Sequence, residues 1–375
     1  MTPDNYVIWS NKTFYFYLFI PILCFLISKI NIHINTGRYY ETDTIGSKTL
    51  RIGEIITSLL LTFLKAFSYT GIDLHGGYQS NFNTAESLSS FHDSSVELGF
   101  RILNVVIHFF TSNYYVFLII IGILTVLPVM HLIIKYSNYI NASIAFFIYA
   151  TMFYFQGFSL LRIYLAASIV LISLEQLLLH KNKKAIIWLL VAMSIHITSI
   201  IMLFPYLLYW NRRLNKGIIV VCTLLIIGFV ILEKNFIIQH FSGRYEVYAT
   251  QESTSSVGTT AFLMYIPLFI LWIVMWKKYK VKYSEIIFCL LLSGFTCYML
   301  SYSIPIFGRL QAYFVSIIFI IGYYSKIIAS HSKLLYFVFD LFFIIYGIIQ
   351  LIIYIKNYYN IDCIMPYVSF LGFTI

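Results

Sequence analysis

Four of the eight arginines stand in short motifs between or just inside apolar stretches: Arg101 in ELGFRIL, Arg162 in FQGFSLLRIYLAAS, Arg244 in HFSGRYEVYATQ and Arg309 in YSIPIFGRLQAYF. The planar guanidinium fork matches phosphate oxygens two at a time, and arginine within or near a membrane is retained for a partner or a function. One such residue could be a structural ion pair with Glu97 or Glu246. Four that gather at one face point instead to a multiply charged anion, and beside apolar helices that means a lipid phosphate or pyrophosphate. His196 in AMSIHITSI, Asp73 in GIDLHGGY and Glu97 supply groups able to accept a proton, and Tyr78 and Tyr245 offer faces for a sugar ring. The chain has no Walker-type glycine loop, no D-x-D pair on these segments, no H-E-x-x-H and no G-x-S-x-G. Chemistry driven by ATP, a divalent metal or a serine nucleophile therefore has no support, and neither a cofactor nor a metal is expected. Attack of a sugar hydroxyl on a lipid-pyrophosphate-linked sugar needs none of them, because the leaving pyrophosphate drives the reaction and arginines stabilise its growing charge.

The elements that must position these residues are membrane helices. The chain has 375 residues, of which 60% are hydrophobic and 11% charged, with a mean hydropathy of +0.83. A water-soluble domain cannot hide that much apolar surface, and about 20 helical residues cross the hydrocarbon layer. The runs are continuous and rich in Ile, Leu and Phe, unlike the alternating segments of a membrane barrel. Hydropathy predicts spans at about 13–30, 50–70, 114–134, 139–157, 158–180, 217–234, 261–277, 283–303, 308–326 and 334–355, with a further apolar element at 185–210. The expected fold is an all-α polytopic integral membrane protein of about 10–12 transmembrane helices, residues 1–375 forming one membrane domain. Its two long polar loops lie at about 71–113 and 235–260. The N-terminal MTPDNYVIWSNKTF lacks the basic stretch of a cleaved signal, so the first apolar run reads as a retained span. The five cysteines form no C-x-x-C pair and read as small core residues. The net charge of +10 is spread between spans and builds no basic domain, so nucleic acid is not an expected partner and the bilayer is.

Topology follows from the same charges. Lys181–Lys184 precedes AIIWLLVAMSIHITSIIMLFPYLLYW and Asn211-Arg212-Arg213 follows it, so this element is basic at both ends. If it enters and leaves on one side, most of the 25 lysines and arginines fall in cytoplasmic connections; if it crosses once, the bias cancels. A re-entrant helix pair with His196 at its tip is the expectation, and both long polar loops are then extracytoplasmic together with Arg101, Arg162, Arg244 and Arg309. The alternative is a single tilted span of 185–210, kinked at Pro205, with His196 bonded to a neighbour.

Taken in order, several motifs resemble the EpsG family of Wzy-type polysaccharide polymerases. They are G-I-D-x-x-x-G-Y-x-x-x-F (Gly71, Asp73, Gly77, Tyr78, Phe82), E-x-G-F (Glu97, Gly99, Phe100), L-L-R-I-Y-L-A-A-S-I around Arg162 and A-M-S-I-H-I-T-S-I around His196. G-R-Y-E-V-Y and G-R-L-Q-A-Y-F follow, and the resemblance runs from about residue 70 to 315. Leu98 stands where the family usually has proline, and Ile163 where it often has glutamine after the arginine. The resemblance implies an enzyme of the bacterial inner membrane with its site facing the periplasm or outside. It would join undecaprenyl-pyrophosphate-linked repeat units into O-antigen or a related surface polysaccharide, with a chain-length regulator and a flippase as companions. On that reading Arg162, Arg244, Arg309 and Arg101 hold pyrophosphate, and His196, Asp73 or Glu97 activates the acceptor hydroxyl. An O-antigen ligase, a glycan acyltransferase and a polysaccharide transporter are the alternatives. Single cysteines at Lys183 and Asn211 of an otherwise cysteine-free chain are expected to react with an impermeant maleimide from the cytoplasmic side only. Labelling of the second from outside would return the single-span topology.

Overall fold

The computed structural model describes residues 8–30, 51–74, 77–91, 96–210, 217, 220, 223, 257–281, 283–301 and 306–375. The expected span at 217–234 and nearly all of the 235–260 loop, including Arg244 and Tyr245, lie outside the described residues. The regular elements are helical: α1 (Asn11–Ile27), α2 (Ile52–Ala66), α3 (Gly77–Asn83), α4 (Leu98–Phe110), α5 (Tyr114–Tyr136), α6 (Ala142–Tyr149), α7 (Gln156–Ser159), α8 (Leu161–Leu178), α9 (Asn182–Ile195) and α10 (Leu203–Trp210). After these come α11 (Val257–Tyr279), α12 (Ser284–Ser301), α13 (Ile306–Arg309), α14 (Ile317–His331) and α15 (Lys333–Tyr358). Among the described residues α5, α8, α12 and α15 are long and apolar enough to cross a membrane, while α1, α4 and Ala142–Tyr154 are shorter apolar helices. Helix α15 exposes Leu334, Phe337, Leu341, Ile345 and Ile349, an apolar stripe at helical spacing suited to a lipid surface. The chain is a polytopic α-helical membrane protein.

Tertiary contacts divide it into two units, each assembled from separated stretches: Met1–Ser95, Arg101–Leu161 and Ile318–Ile375 in the first, Val96–Phe100 and Arg162–Ile317 in the second. In the first unit the C-terminal tail fastens one end of the helices. Tyr17 donates to the Ile364 carbonyl at 2.7 Å, Tyr367 to that of Leu64 at 2.8 Å, and the Tyr69 N–H to Val368 at 2.8 Å. Lys65 is buried there, its Nζ donating to the Gly157 carbonyl at 2.7 Å and lying 4.5 Å from the centre of the Phe158 ring. A buried ammonium survives because it is both hydrogen-bonded and over an aromatic face. Elsewhere in this unit Asp340 accepts from Ser325 at 2.7 Å and from Asn141 at 3.0 Å, tying α15, α14 and the start of α6 together.

In the second unit one hydroxyl decides the path of the 185–210 element. Ser173 on α8 donates to the Ala185 carbonyl at 2.6 Å and accepts from the Tyr206 hydroxyl at 3.0 Å. A continuous helix would carry residue 206 about 31 Å beyond residue 185, far more than a tyrosine side chain spans. The chain therefore doubles back between them. At the turn, the Ile197 N–H bonds Glu97, which in turn pairs with Arg162 near the start of α8. The interval 162–173 on α8 equals the interval 185–196 on α9, so α9 climbs along α8 for about 16 Å and α10 descends beside it. That is the geometry of a re-entrant pair with His196 at the tip. Ser173→Ala leaves the buried Tyr206 hydroxyl without its acceptor, at a cost of about 1–3 kcal/mol. Thermal unfolding in detergent is expected to show a lowered Tm, recovered in part by adding Tyr206→Phe.

Candidate functional site at the broken helix

Helix α9 ends because SIHITSI is a poor helical sequence. Its β-branched residues lose rotamer freedom in a helix, and its hydroxyls compete for backbone groups. At His196 the backbone is extended (φ −151°, ψ 113°), and the chain resumes as a 3-10 turn, Ile197–Met202, before α10. A break of this kind frees backbone donors, and each has an acceptor. The Ile197 N–H donates to Glu97 Oε1 at 3.2 Å, the Thr198 N–H to His196 Nδ1 at 3.4 Å, and the Ser199 N–H to the His196 carbonyl at 3.1 Å.

Glu97 uses its second oxygen on Arg162, whose Nη1 donates to Oε2 at 2.6 Å. The two side chains are only 10% and 14% exposed, so the pair is shielded and short. The Arg162 guanidinium carbon lies 5.7 Å from the centre of the Phe100 ring, within cation–π range. Gly99 between them is a steric requirement: a Cβ there would stand 2.7 Å from the Ser194 carbonyl oxygen on α9. The E-x-G-F motif is thus one device. The glutamate caps the break and holds the arginine, the glycine lets the segment close onto α9, and the phenylalanine backs the guanidinium.

Arg309 closes α13 and is half-buried. The turn that follows it, Leu310–Phe314, is anchored through Gln311, whose Nε2 donates to the Gly294 carbonyl on α12 and whose Oε1 accepts from Tyr265 on α11, both at 2.9 Å. Tyr313 in the same turn lies 2.9 Å from Thr198 Oγ1, and that oxygen is 2.7 Å from His196 Nδ1. Arg309 is therefore held one turn from a residue that touches the tip. Within this unit the structure brings Glu97, Arg162 and His196 together and carries the Arg309 turn to the same break.

The other predicted residues that the structure describes, Asp73, Tyr78 and Arg101, stand on the first unit. Asp73 sits in the turn Ile72–Leu74, fixed by the Ile72 N–H to the Asp362 carbonyl at 3.0 Å and by Tyr114 to the Leu74 carbonyl at 3.0 Å. Gly71 precedes it at φ +124°, and a Cβ there would lie 2.7 Å from the Phe158 carbonyl carbon, so the glycine of G-I-D is demanded twice. Tyr78 on α3 is buried, and Arg101 on α4 is half-buried with its Nε unbonded. Sequence reasoning missed Thr198, Tyr313 and Gln311 as working parts of the site. Thr198 and Tyr313 sat inside quoted motifs, but only the folded contact gives them a role. Glu97→Ala removes the carboxylate that pairs with the shielded Arg162 and removes the Ile197 cap. A stability loss on the order of 3 kcal/mol is expected from thermal unfolding of the purified protein.

Comparison with known proteins gives one match, to the family model described as the EpsG family, over residues 54–369. No curated protein and no solved structure matches the chain. Because that match covers most of the chain, this protein belongs to the EpsG family, which includes Wzy-type polysaccharide polymerases.

Proposed function

We propose that the chain polymerises undecaprenyl-pyrophosphate-linked oligosaccharide repeat units into O-antigen or a related surface polysaccharide. It would do so on the outer face of the bacterial inner membrane, without a metal ion. Family membership supports a polysaccharide-polymerase type of function. The observation that carries the finer reading is the doubled-back helix, whose tip is bound to Arg162 through Glu97 and to the Arg309 turn through Thr198 and Tyr313.

The chemistry follows from that placement. A hydroxyl oxygen of the incoming unit attacks the anomeric carbon of the lipid-linked chain, and the bond from that carbon to the pyrophosphate oxygen breaks. The leaving group departs with the electron pair, and the hydroxyl proton passes to a base. Arg162, Arg309, Arg244 and Arg101 are assigned to the pyrophosphate, because guanidinium groups held rigidly before the reaction stabilise charge that grows during it. Glu97 fixes Arg162 with one oxygen and caps the Ile197 N–H with the other, so both are engaged. It therefore serves better as a positioning group than as the base. Asp73 and His196 are the other candidates from the sequence, with Tyr78 and Tyr245 assigned to the sugars.

The test is the glycan gel of a deletion strain complemented with variants. Arg162→Ala, Arg309→Ala and Arg244→Ala are each expected to reduce long chains by at least 100-fold while the protein stays in the membrane, leaving a core that bears one repeat unit. Polymer retained on the carrier lipid would mark a ligase instead. Long chains from all three variants would overturn the pyrophosphate clamp.

A further inference from the structure

The turn that carries Asp73 is held from outside itself. Ile72–Leu74 is a single 3-10 turn, closed by a bond from the Leu74 N–H to the Gly71 carbonyl at 3.3 Å. So short a turn does not persist on its own bonds. It is held by the chain that follows α15. Residues 67–72 and 362–370 run antiparallel, with Ser68 opposite Ser369. The Phe370 N–H donates to the Phe67 carbonyl at 3.3 Å, the Tyr69 N–H to that of Val368 at 2.8 Å, and the Ile72 N–H to that of Asp362 at 3.0 Å. Asp362 is in turn fixed to α15: its N–H donates to the Tyr358 carbonyl and its carboxylate accepts from the Tyr354 hydroxyl, both at 2.8 Å.

Thr70 is where a side chain takes over this pairing. Its own N–H is turned toward Ser68 Oγ at 3.1 Å, and its hydroxyl meets the facing strand instead. Oγ1 accepts from the Val368 N–H at 2.8 Å and donates to the Val368 carbonyl at 3.2 Å. A hydroxyl can do both because it has one proton and two lone pairs. Thr70 is buried, so water does not stand in for it. Other residues of the same segment go elsewhere: Tyr17 on α1 bonds the Ile364 carbonyl, and Tyr367 bonds that of Leu64 on α2. The segment therefore does two jobs at separable residues, one on the helices and one on the loop that leads to Asp73.

We propose that residues 362–370 form a strap that positions Asp73, with Thr70 as the side chain that fastens it. The chain after α15 is then a working part of the reaction site and not only a clamp on the helices. The strap rests on geometry; its purpose rests on the polymerase reading, in which Asp73 is a candidate to accept the hydroxyl proton. A proton acceptor works only within hydrogen-bond reach of its proton, and a misplacement of about 1 Å costs up to about 100-fold in rate. Gly71, at φ +124°, is the residue in this stretch least able to hold a direction by itself. Thr70 and Asp362 hold the chain around it, and Tyr114 holds the Leu74 carbonyl beyond Asp73 at 3.0 Å.

Hydrogen exchange of the full chain in lipid nanodiscs, read by mass spectrometry over residues 71–74, tests the strap without reference to activity. Thr70→Val keeps the shape and removes the hydroxyl, and it is expected to speed exchange there about tenfold, the protection that one hydrogen bond confers. Thr70→Ser is expected to restore the wild-type rate. Tyr17→Phe, which loosens only the contact with α1, is expected to leave it within about twofold. Unchanged exchange in Thr70→Val, or equal loosening by Tyr17→Phe, would overturn the strap whatever the protein catalyses.

The purpose is tested by elongation of the lipid-linked repeat units that accumulate in the deletion strain, assayed with purified variants below the Tm of each. Thr70→Val is expected to lower kcat about tenfold and to leave KM within about twofold, with Thr70→Ser near wild type. A residue that acts through Asp73 has nothing to act on once that carboxylate is gone, so Thr70→Val is expected to cost nothing further in Asp73→Asn. Multiplied losses in the double variant would overturn the positioning of Asp73. Full activity in Asp73→Asn would overturn the purpose of the strap but not the exchange result. Wild-type protein that fails to elongate these units would instead sink the polymerase reading, and exchange alone would then decide the strap.

Discussion

Inside a membrane a helix can be interrupted only where every backbone group freed by the break finds a partner. The element from Ala185 to Trp210 is interrupted at His196, and its freed donors go to Glu97, to the His196 ring and to the His196 carbonyl. Those acceptors are not spare groups. Glu97 comes from the segment leading into α4, a hundred residues earlier in the chain, and it also holds Arg162 on α8. The break can therefore exist only when the segment Val96–Phe100, α8 and α9 are assembled, and assembling them ties an arginine, through Glu97, to the residue that follows the histidine. Fold and site are one construction at this point.

The construction explains why the local sequences look as they do. A carboxylate that must cap a backbone N–H and hold a guanidinium together has to come within a side chain's reach of both. Gly99 permits that approach by leaving nothing between its backbone and Ser194. Phe100 then covers the Arg162 guanidinium from a second direction. On the proposed reading the arginine would not have to find its geometry when an anion arrives, and this is the condition under which a fixed charge lowers a barrier instead of merely binding. On the other side of the break, Gln311 performs the same service for the Arg309 turn by locking it onto α11 and α12.

Much of this was legible in the sequence, and the reason for the remainder is specific. Helices near 13–30, 50–70, 114–134 and 334–355 follow from apolar length alone, and α1, α2, α5 and α15 occupy those positions. The doubling back of 185–210 was legible because lysine and arginine flank it at both ends, a consequence of how charge partitions across a membrane. Arg162 and His196 stood out because charged and titratable residues are rare in apolar segments, and Glu97 because it stands in the E-x-G-F motif of the polar loop at 71–113. What the sequence could not carry was pairing. Nothing in the spacing says that Glu97 bonds the backbone at Ile197, or that Ser173 receives Tyr206, because such contacts are set by how the helices pack. Thr198 and Tyr313 stood in the quoted motifs without a role, because a threonine and a tyrosine in an apolar stretch are ordinary and only the folded contact joins them to the His196 ring.

The division of labour among the charged groups follows from the same alignment. A site that must accept a doubly charged leaving group gains from donors and suffers from any nearby carboxylate free to repel it. Glu97 is the carboxylate bonded at the break, where it pairs with Arg162 and accepts from a backbone N–H. Its negative charge is spent inside the protein and does not face the ligand's. His196 is held by the turn it caps, its Nδ1 accepting from the Thr198 N–H and lying 2.7 Å from the Thr198 hydroxyl. On the proposed reading Glu97 is thereby a positioning group, and the acceptor of the hydroxyl proton is another side chain or the substrate itself. An electrostatic site of this kind has no need of a strongly basic side chain beside the leaving group. A leaving group that departs with its charge already stabilised lets the anomeric carbon become electron-poor before the hydroxyl loses its proton, so even a weak base positioned on the acceptor side is sufficient.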